Sequence, residues 1–232
     1  MAYNNTKNLL MCTWLAAALS GCQQSTDDIA KNVSSQLETR LSRETPAGAP
    51  APRIVAIKVV QDSGTKYQGV VTVLAYGSSA EIPLDIVADR KNVIYRVQDS
   101  EWQRAIASLN RARFANVEGQ YSNIASDDAA VWDSFPAELK QQKTEFSQRL
   151  QTVTPVKRAG SVLFGSGCKS HECGSNVAAW AVDTNTARGY AITMVEGSTF
   201  HIYGGNPENL PRPLLDWAVE SGMNTGNLVV MR

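Results

Sequence analysis

Two cysteines and a histidine lie close together in the segment Gly167-Cys168-Lys169-Ser170-His171-Glu172-Cys173-Gly174. Four residues separate the thiols, and a glycine stands on each side of the pair. If the thiols are oxidised, they close a short loop that displays the imidazole of His171. If they are reduced, the thiols and the imidazole are potential metal ligands. Zinc sites favour Cys-x2-Cys spacing and need four ligands, and the only other histidine is His201, so we expect no metal.

The start of the chain bears on the redox state of these cysteines. Residues 1–21 contain a single charge, Lys7, followed by the apolar run Leu9–Leu19. A positive flank, a short apolar centre and a small-residue cleavage site are the parts of a secretory signal. The apolar run is too short to span a bilayer as a helix. We therefore expect export to a compartment that permits disulfides.

The end of this signal, Leu19-Ser20-Gly21-Cys22, resembles a bacterial lipobox. In that case Cys22 is the lipidated first residue of the mature chain; the alternative is an ordinary cleaved signal with an incidental cysteine. Gln23 follows the cysteine, as in lipoproteins sorted to the outer membrane. We expect a protein of the bacterial cell envelope, anchored by its lipid and facing the periplasm.

The cysteine count then leaves one candidate pair. The chain has four cysteines; Cys12 leaves with the signal and Cys22 carries the lipid, so Cys168 and Cys173 remain. A loop this short adds only about 2 kcal/mol of stability through chain entropy. The expected disulfide therefore serves to hold a shape more than to stabilise the fold.

The composition limits the function classes and suggests two folded units. The 232 residues carry 22 basic and 22 acidic side chains, which gives no electrostatic case for nucleic acid binding. About 210 mature residues are enough for two small domains. We expect a tether and Pro-rich linker over 22–53, a β-rich accessory domain over 54–120, and a second domain over 130–232.

The accessory domain shows a strand pattern followed by a helix pattern. Four runs rich in Val, Ile and Tyr predict short antiparallel strands. These runs are Ile54–Val60, Tyr67–Tyr76, Glu81–Ala88 and Asn92–Val97. A helix is expected from Ser100, as its cap, to Arg113. Before the linker, Gln23–Ser42 has apolar residues every four positions and is either a narrow-faced helix or a weakly ordered tether.

The second domain is predicted to be an antiparallel sheet with one or two helices, an α+β unit. Helices are expected at Phe135–Leu150 and Pro211–Ser221. The predicted strands are Ser161–Gly165, Val177–Val182, Tyr190–Val195, Phe200–Tyr203 and Asn227–Met231. The cysteine loop connects the first two of these strands. His201 alternates with its apolar neighbours in a strand, so we expect it to be a surface or cross-strand residue.

The cysteine segment, followed by Asn176-Val177-Ala178-Ala179-Trp180, resembles the inhibitor of vertebrate lysozyme family. In that family a Cys-Lys-Pro-His-Asp-Cys loop precedes a strand of small and apolar residues. Arg188–Ala191 and Leu214–Ala218 also stand where the family has its hairpin and late helix. The resemblance covers roughly residues 160–232. Ser170 replaces the usual proline and Glu172 replaces aspartate.

The resemblance implies a role for each residue of the loop. His171 would enter the cleft of a lysozyme and hydrogen-bond to its two catalytic carboxyl groups. Lys169 and Glu172 would lie at the rim and steer the encounter, while Ser170 would leave the loop less rigid than proline does. The expected partner is a lysozyme or a related peptidoglycan-degrading enzyme, and no cofactor is implied.

Two other function classes compete with this interpretation. An enzyme would need His171 and Glu172 as a catalytic pair, but neighbouring residues in a tight loop usually diverge, and no Gly-x-Ser-x-Gly motif is present. We therefore expect no enzyme. The alternative is a non-catalytic envelope module that recognises another wall-active enzyme or an envelope partner, since a fold can persist while its ligand changes.

Overall fold

The computed structural model describes residues 24–45 and 51–231. The predicted signal, Cys22 and part of the Pro-rich linker lie outside the described residues. In the described ranges, no helix combines the length and the apolar character needed to cross a membrane.

The N-terminal unit is a four-stranded antiparallel sheet with two helices on one face. Helix α1 spans Thr26–Glu44 and helix α2 spans Asp99–Arg113. The strands, in the order in which they pair, are β1 (Arg53–Ser63), β2 (Lys66–Ala75), β3 (Ser78–Ala88) and β4 (Val93–Arg96). All four strands predicted from the sequence are confirmed. Both helices bury their apolar stripes in the same core as the inner side chains of the sheet.

Helix α1 settles the alternative that the sequence left open for this segment. Its apolar residues at four-residue steps, Ile29, Val33, Leu37 and Leu41, are all at most 2% exposed. The Ser25 hydroxyl caps the helix by accepting a hydrogen bond from the backbone N–H of Asp28. The segment is therefore an integral part of the first core, because four buried side chains would otherwise be exposed to water.

Two helix predictions need correction. Helix α2 begins one residue before Ser100, with Gln98 at the cap position and no side-chain cap, so Ser100 is not the cap. The single helix expected over Phe135–Leu150 is two short helices, α5 (Ala137–Lys140) and α6 (Lys143–Gln148). The periodicity does not reveal the break at Gln142, because the apolar residues on both sides of it are buried in one core.

The C-terminal unit is a sheet in the order β11-β10-β9-β8-β7-β5, with β6 also paired to β7. Its strands are β5 (Thr152–Val153), β6 (Lys157–Ala159), β7 (Val162–Cys168), β8 (Val177–Asp183), β9 (Arg188–Val195), β10 (Thr199–Tyr203) and β11 (Leu228–Val230). The expected α+β class is confirmed, and the predicted strands are present. The pairing is antiparallel throughout except that β11 runs parallel to β10.

Helices cover this sheet on both faces. Helix α7 (Arg212–Glu220) contributes Leu214 and Ala218 to the core on one face. The other face is covered by a loop-rich layer that includes α5, α6 and the one-turn helices α3 (Ile124–Asp127) and α4 (Ala129–Trp132). The sequence did not predict α3, α4, β5 or β6, because elements of two to four residues are too short to show a period.

Trp180 organises the core on the loop-rich face. The indole is fully buried and donates a hydrogen bond from Nε1 to the Ser122 carbonyl at 2.9 Å. Phe135 meets it edge-on with ring centroids 6.3 Å apart. Gly165 of β7 lies directly opposite Trp180 in the sheet, and its missing side chain leaves room for both Trp180 and Ser122.

A methyl group on Gly165 would lie 2.6 Å from Ser122 Oγ and 2.8 Å from Trp180 Cε2. We therefore expect Gly165→Ala to lower the free energy of unfolding by about 1–3 kcal/mol through overpacking. Gly174→Ala is the matched control, since nothing lies within 4 Å of its added methyl group. Urea denaturation of both variants measures the difference, and an equal loss in the two would contradict the packing described for Gly165.

His201 of β10 makes stability depend on pH. It lies opposite Thr193 of β9, and burial, followed by the charge of Arg149, lowers the pKa of His201 below its ordinary value of 6.5. In the pH range between these two values, the unfolded chain takes up a proton that the folded protein does not. The contribution of His201 to the free energy of unfolding is therefore complete above about pH 6.5. It is lost as the pH falls from there through the lowered pKa of the folded protein.

We expect His201→Gln, which cannot titrate, to lose less stability than the unmodified protein between pH 7.5 and pH 5. Urea midpoints at the two pH values give the comparison, and the carboxyl groups shared by both proteins cancel in the difference. Parallel losses in the two proteins would show that His201 titrates equally in the folded and unfolded states.

Candidate functional site

The cysteine loop connects two neighbouring strands of the C-terminal sheet, β7 and β8. Strands β7 and β8 pair from Val162 with Asp183 to Cys168 with Val177, and the loop follows directly after the last pair. A disulfide joins Cys168 to Cys173 with their Cα atoms 4.9 Å apart, as the cysteine count predicted. Cys168 is buried at the end of β7 and Cys173 is exposed, so the ring stands partly outside the sheet.

His171 occupies the corner of a tight turn and is exposed to solvent. The backbone N–H of Glu172 donates to the carbonyl of Lys169 at 2.9 Å, and His171 has a φ of 66°. A bond from residue i+3 to residue i, with positive φ only at i+2, defines a type II turn with Ser170 at i+1. A non-glycine residue in this conformation costs of order 1–3 kcal/mol, so the surrounding contacts must hold it.

Glu172 braces the base of the loop. Its Oε2 accepts from Asn176 Nδ2 at 2.6 Å, and its carbonyl accepts from the backbone N–H of Asn176 at 2.8 Å. Its Oε1 forms an ion pair with Lys169 Nζ at 2.6 Å. The hydrogen bond from Lys169, with a smaller part from Asn176, lowers the pKa of the Glu172 carboxyl. Lys169 and Glu172 thus neutralise each other on the two sides of His171.

The two glycines that flank the cysteines have different roles. A methyl group on Gly167 would lie 2.8 Å from the Thr152 carbonyl and 3.0 Å from Val153 Cγ1, because β5 packs closely against β7 at this point. Gly174 has open space around it. The close approach at Gly167 follows from the position of β5, a strand that the sequence pattern did not predict.

A contact that the sequence pattern did not predict holds the tip of the loop. The Ser170 backbone N–H donates to Gln151 Oε1 at 3.1 Å. Gln151 itself is tied to the ring, since its backbone N–H donates to the carbonyl of Cys168 at 3.2 Å. Nothing in the local sequence signals this contact, because Gln151 precedes Ser170 by 19 positions.

The structure brings the four predicted loop residues together and places His201 elsewhere in the sheet. The four loop residues, Lys169, Ser170, His171 and Glu172, form one turn, whereas His201 lies in β10 and is separated from β7 by two strands. Across the described ranges, no group of three or more His, Cys, Asp or Glu side chains is arranged to hold a metal ion. The thiols of Cys168 and Cys173 are joined to each other.

One family model matches the part of the chain that carries this loop. The model of the inhibitor of vertebrate lysozyme family matches residues 130–221, which run from α4 through α7. No curated protein and no solved structure matched the chain. The family consists of inhibitors, so the match supports lysozyme inhibition in general and is consistent with a protein that is not an enzyme. Residues 130–221, in the C-terminal part of the chain, thus match the inhibitor of vertebrate lysozyme family.

Proposed function

We propose that this protein inhibits a lysozyme by inserting the loop closed by Cys168 and Cys173 into the active-site cleft. The observation that carries the proposal is the position of His171. Its side chain is exposed at the corner of a closed turn, within the part of the chain that matches the inhibitor family.

The chemistry of the imidazole suits a cleft lined by two carboxyl groups. Lysozyme-type glycosidases use one protonated and one ionised carboxyl group on the two sides of the scissile bond. A neutral imidazole has one nitrogen that donates and one that accepts a hydrogen bond. It can accept from the protonated carboxyl and donate to the ionised one, which matches both groups in their resting states. The loop then occupies the space of a sugar ring and excludes the substrate.

The turn fixes the backbone conformation of His171 before any partner binds. The disulfide, the Glu172 to Asn176 hydrogen bond and the turn hydrogen bond each restrict the backbone around it. Ordering a loop on binding reduces the affinity, so a loop that is ordered in advance retains more of its contact energy. The left-handed backbone of His171 supports the same interpretation, because strained residues of this kind cluster at functional sites.

The loop is electrically balanced, which bears on the roles of Lys169 and Glu172. Their side chains pair at 2.6 Å and are 39% and 38% exposed. A neutral rim avoids burying an unpaired charge when the loop enters a cleft. We propose that these two residues brace the loop and form the rim of the contact, while His171 provides the central hydrogen bonds.

The proposal extends to the location of the protein. The lipobox-like ending at Cys22 and the following Gln23 support a lipid anchor in the outer membrane, with the folded units in the periplasm. An inhibitor held there would meet a lysozyme at the peptidoglycan it attacks. The sequence of the first 23 residues is what supports this part of the proposal.

Removing the imidazole tests the central contact. We expect His171→Ala to raise the inhibition constant by about 30-fold or more, as for a buried interface anchor worth about 2 kcal/mol. His201→Gln is the control, because it changes the other histidine and leaves the loop intact. The chain from residue 23 onwards keeps α1 and its place in the first core, and is assayed against a panel of animal and bacterial lysozymes.

If the unmodified protein leaves every lysozyme of the panel active at micromolar concentration, the inhibitor proposal fails. The envelope binding module then becomes the better interpretation of the loop. If His171→Ala inhibits as well as the unmodified protein, the loop does not act through its imidazole.

Removing the disulfide tests whether the loop must be ordered before it binds. The double variant Cys168→Ala, Cys173→Ala should lose up to about 2 kcal/mol of stability, which leaves the fold intact. Inhibition should weaken by up to about 30-fold, because the flexible loop must now be ordered on docking. Circular dichroism checks the fold and the inhibition constant reports the loop. Undiminished inhibition by the folded double variant would show that the disulfide is not needed to present His171.

A further inference from the structure

We propose that Gln151 is a positioning residue for the loop: its side-chain oxygen holds the turn at Ser170 and thereby places His171. The inference rests on the proposed function, since it says how this chain presents the imidazole to a cleft. Gln151 lies outside the segment between the two cysteines and was not among the residues that the sequence singled out.

The register of the sheet brings Gln151 to the loop. Strand β5 pairs with β7 so that Thr152 lies opposite Cys168. Gln151 is the residue before this pair, and its backbone N–H donates to the Cys168 carbonyl at 3.2 Å. The side chain therefore starts from a backbone that is tied to the disulfide ring itself. From there Oε1 reaches the Ser170 N–H at 3.1 Å.

The turn type explains why the Ser170 N–H needs a partner from outside the turn. The hydrogen bond of a β-turn joins the first and fourth residues, here Lys169 and Glu172. The N–H of Ser170, at the second position, has no acceptor within the turn. Water can serve this donor on a free loop, but a loop inserted into a cleft loses that water. A donor buried without a partner weakens binding, and Gln151 supplies the partner in advance.

The same contact compensates for the absence of proline. Proline is favoured at the second position of a type II turn, because its ring fixes φ near the required value and it has no N–H to satisfy. Ser170 has a free φ and an N–H. The hydrogen bond to Gln151 restrains that φ and satisfies that N–H together, so the two properties lost with proline are both supplied by one side chain.

Gln151 also contacts a part of the loop that the other braces do not reach. Glu172 fastens the far side of the ring to Asn176, and the disulfide fastens its two ends. Gln151 fastens the near side of the tip, one residue before His171. Because Gln151 is exposed, its replacement should disturb the loop without removing anything from the core.

Three variants of the chain from residue 23 onwards test the inference. Gln151→Ala should speed hydrogen exchange of the Ser170 amide and raise the inhibition constant about two- to fivefold, with the thermal midpoint unchanged. Gln151→Glu retains a side-chain oxygen as acceptor and should restore the slow exchange of the Ser170 amide, whereas its added charge makes it unsuitable for the inhibition assay. Gln148→Ala is the matched control, an exposed glutamine of α6 for which no side-chain hydrogen bond is found in the described part of the chain.

A double variant distinguishes positioning from a general effect on the loop. Ser170→Pro removes the N–H that Gln151 binds, so adding Gln151→Ala to Ser170→Pro should weaken inhibition no further. The inference is wrong if Gln151→Ala raises the inhibition constant by the same factor with and without Ser170→Pro. It is also wrong if the Ser170 amide of the Gln151→Ala variant exchanges as slowly as in the unmodified protein.

The hydrogen-exchange measurement needs no lysozyme, so failure of the proposed function can be distinguished from failure of the positioning role of Gln151. An unmodified protein that inhibits no lysozyme overturns the proposed function, and the Ser170 exchange rate then still decides whether Gln151 holds the turn. An unmodified protein that inhibits, together with a Gln151→Ala variant that inhibits equally well, overturns the positioning role alone.

Discussion

The antiparallel pairing of β7 with β8 is the constraint on which the rest of the C-terminal unit depends. Residues 178–182 of β8 are all fully buried, because helices and loops cover both faces of the sheet. Three of these five residues are alanines, and such small side chains allow close packing on both faces. The strand pair cannot shift by one residue without exchanging the residues that face its two covering layers. A loop attached at the end of this pair therefore has fixed ends.

Fixed ends allow the loop to hold a conformation that a free peptide would avoid. His171 has a left-handed backbone, and its neighbours on both sides are used to hold it there. Lys169 and Glu172 neutralise each other, and Glu172 reaches Asn176 at the start of β8. Gln151 holds Ser170 from the neighbouring strand β5. The result is a polar tip with one exposed imidazole. The stability of the sheet offsets the conformational strain at His171 in the turn.

The N-terminal unit has its own core and contacts the second unit through α2. Trp102 is fully buried, donates to Glu44 Oε2 at 2.6 Å, and lies beneath the guanidinium of Arg40. The contact between the units uses polar groups: Asn110 and Arg111 of α2 donate to Asn185 at the turn between β8 and β9. That turn lies at the opposite end of β8 from the cysteine loop, so this contact leaves the loop end of the sheet free.

Much of this architecture follows from local sequence patterns. Runs rich in Val, Ile and Tyr predicted the strands of the first sheet, and the apolar residues at four-residue steps marked the face that α1 buries. The position of His171 between Cys168 and Cys173 identified the loop. These features depend on residues close together in the chain, where the period of a helix or strand shows directly in the order of side chains.

Sequence patterns alone predict the longer strands, helices α2 and α7, the Cys168–Cys173 disulfide and the loop that carries His171. Tertiary contacts establish the ordered helix α1, the break at Gln142, the parallel pairing of β11, the tight packing at Gly167 and the contact between Gln151 and Ser170. Each of these depends on segments that meet across the fold. A strand as short as β5 has no period to reveal it, and a hydrogen bond between residues 151 and 170 exists only once β5 has paired with β7.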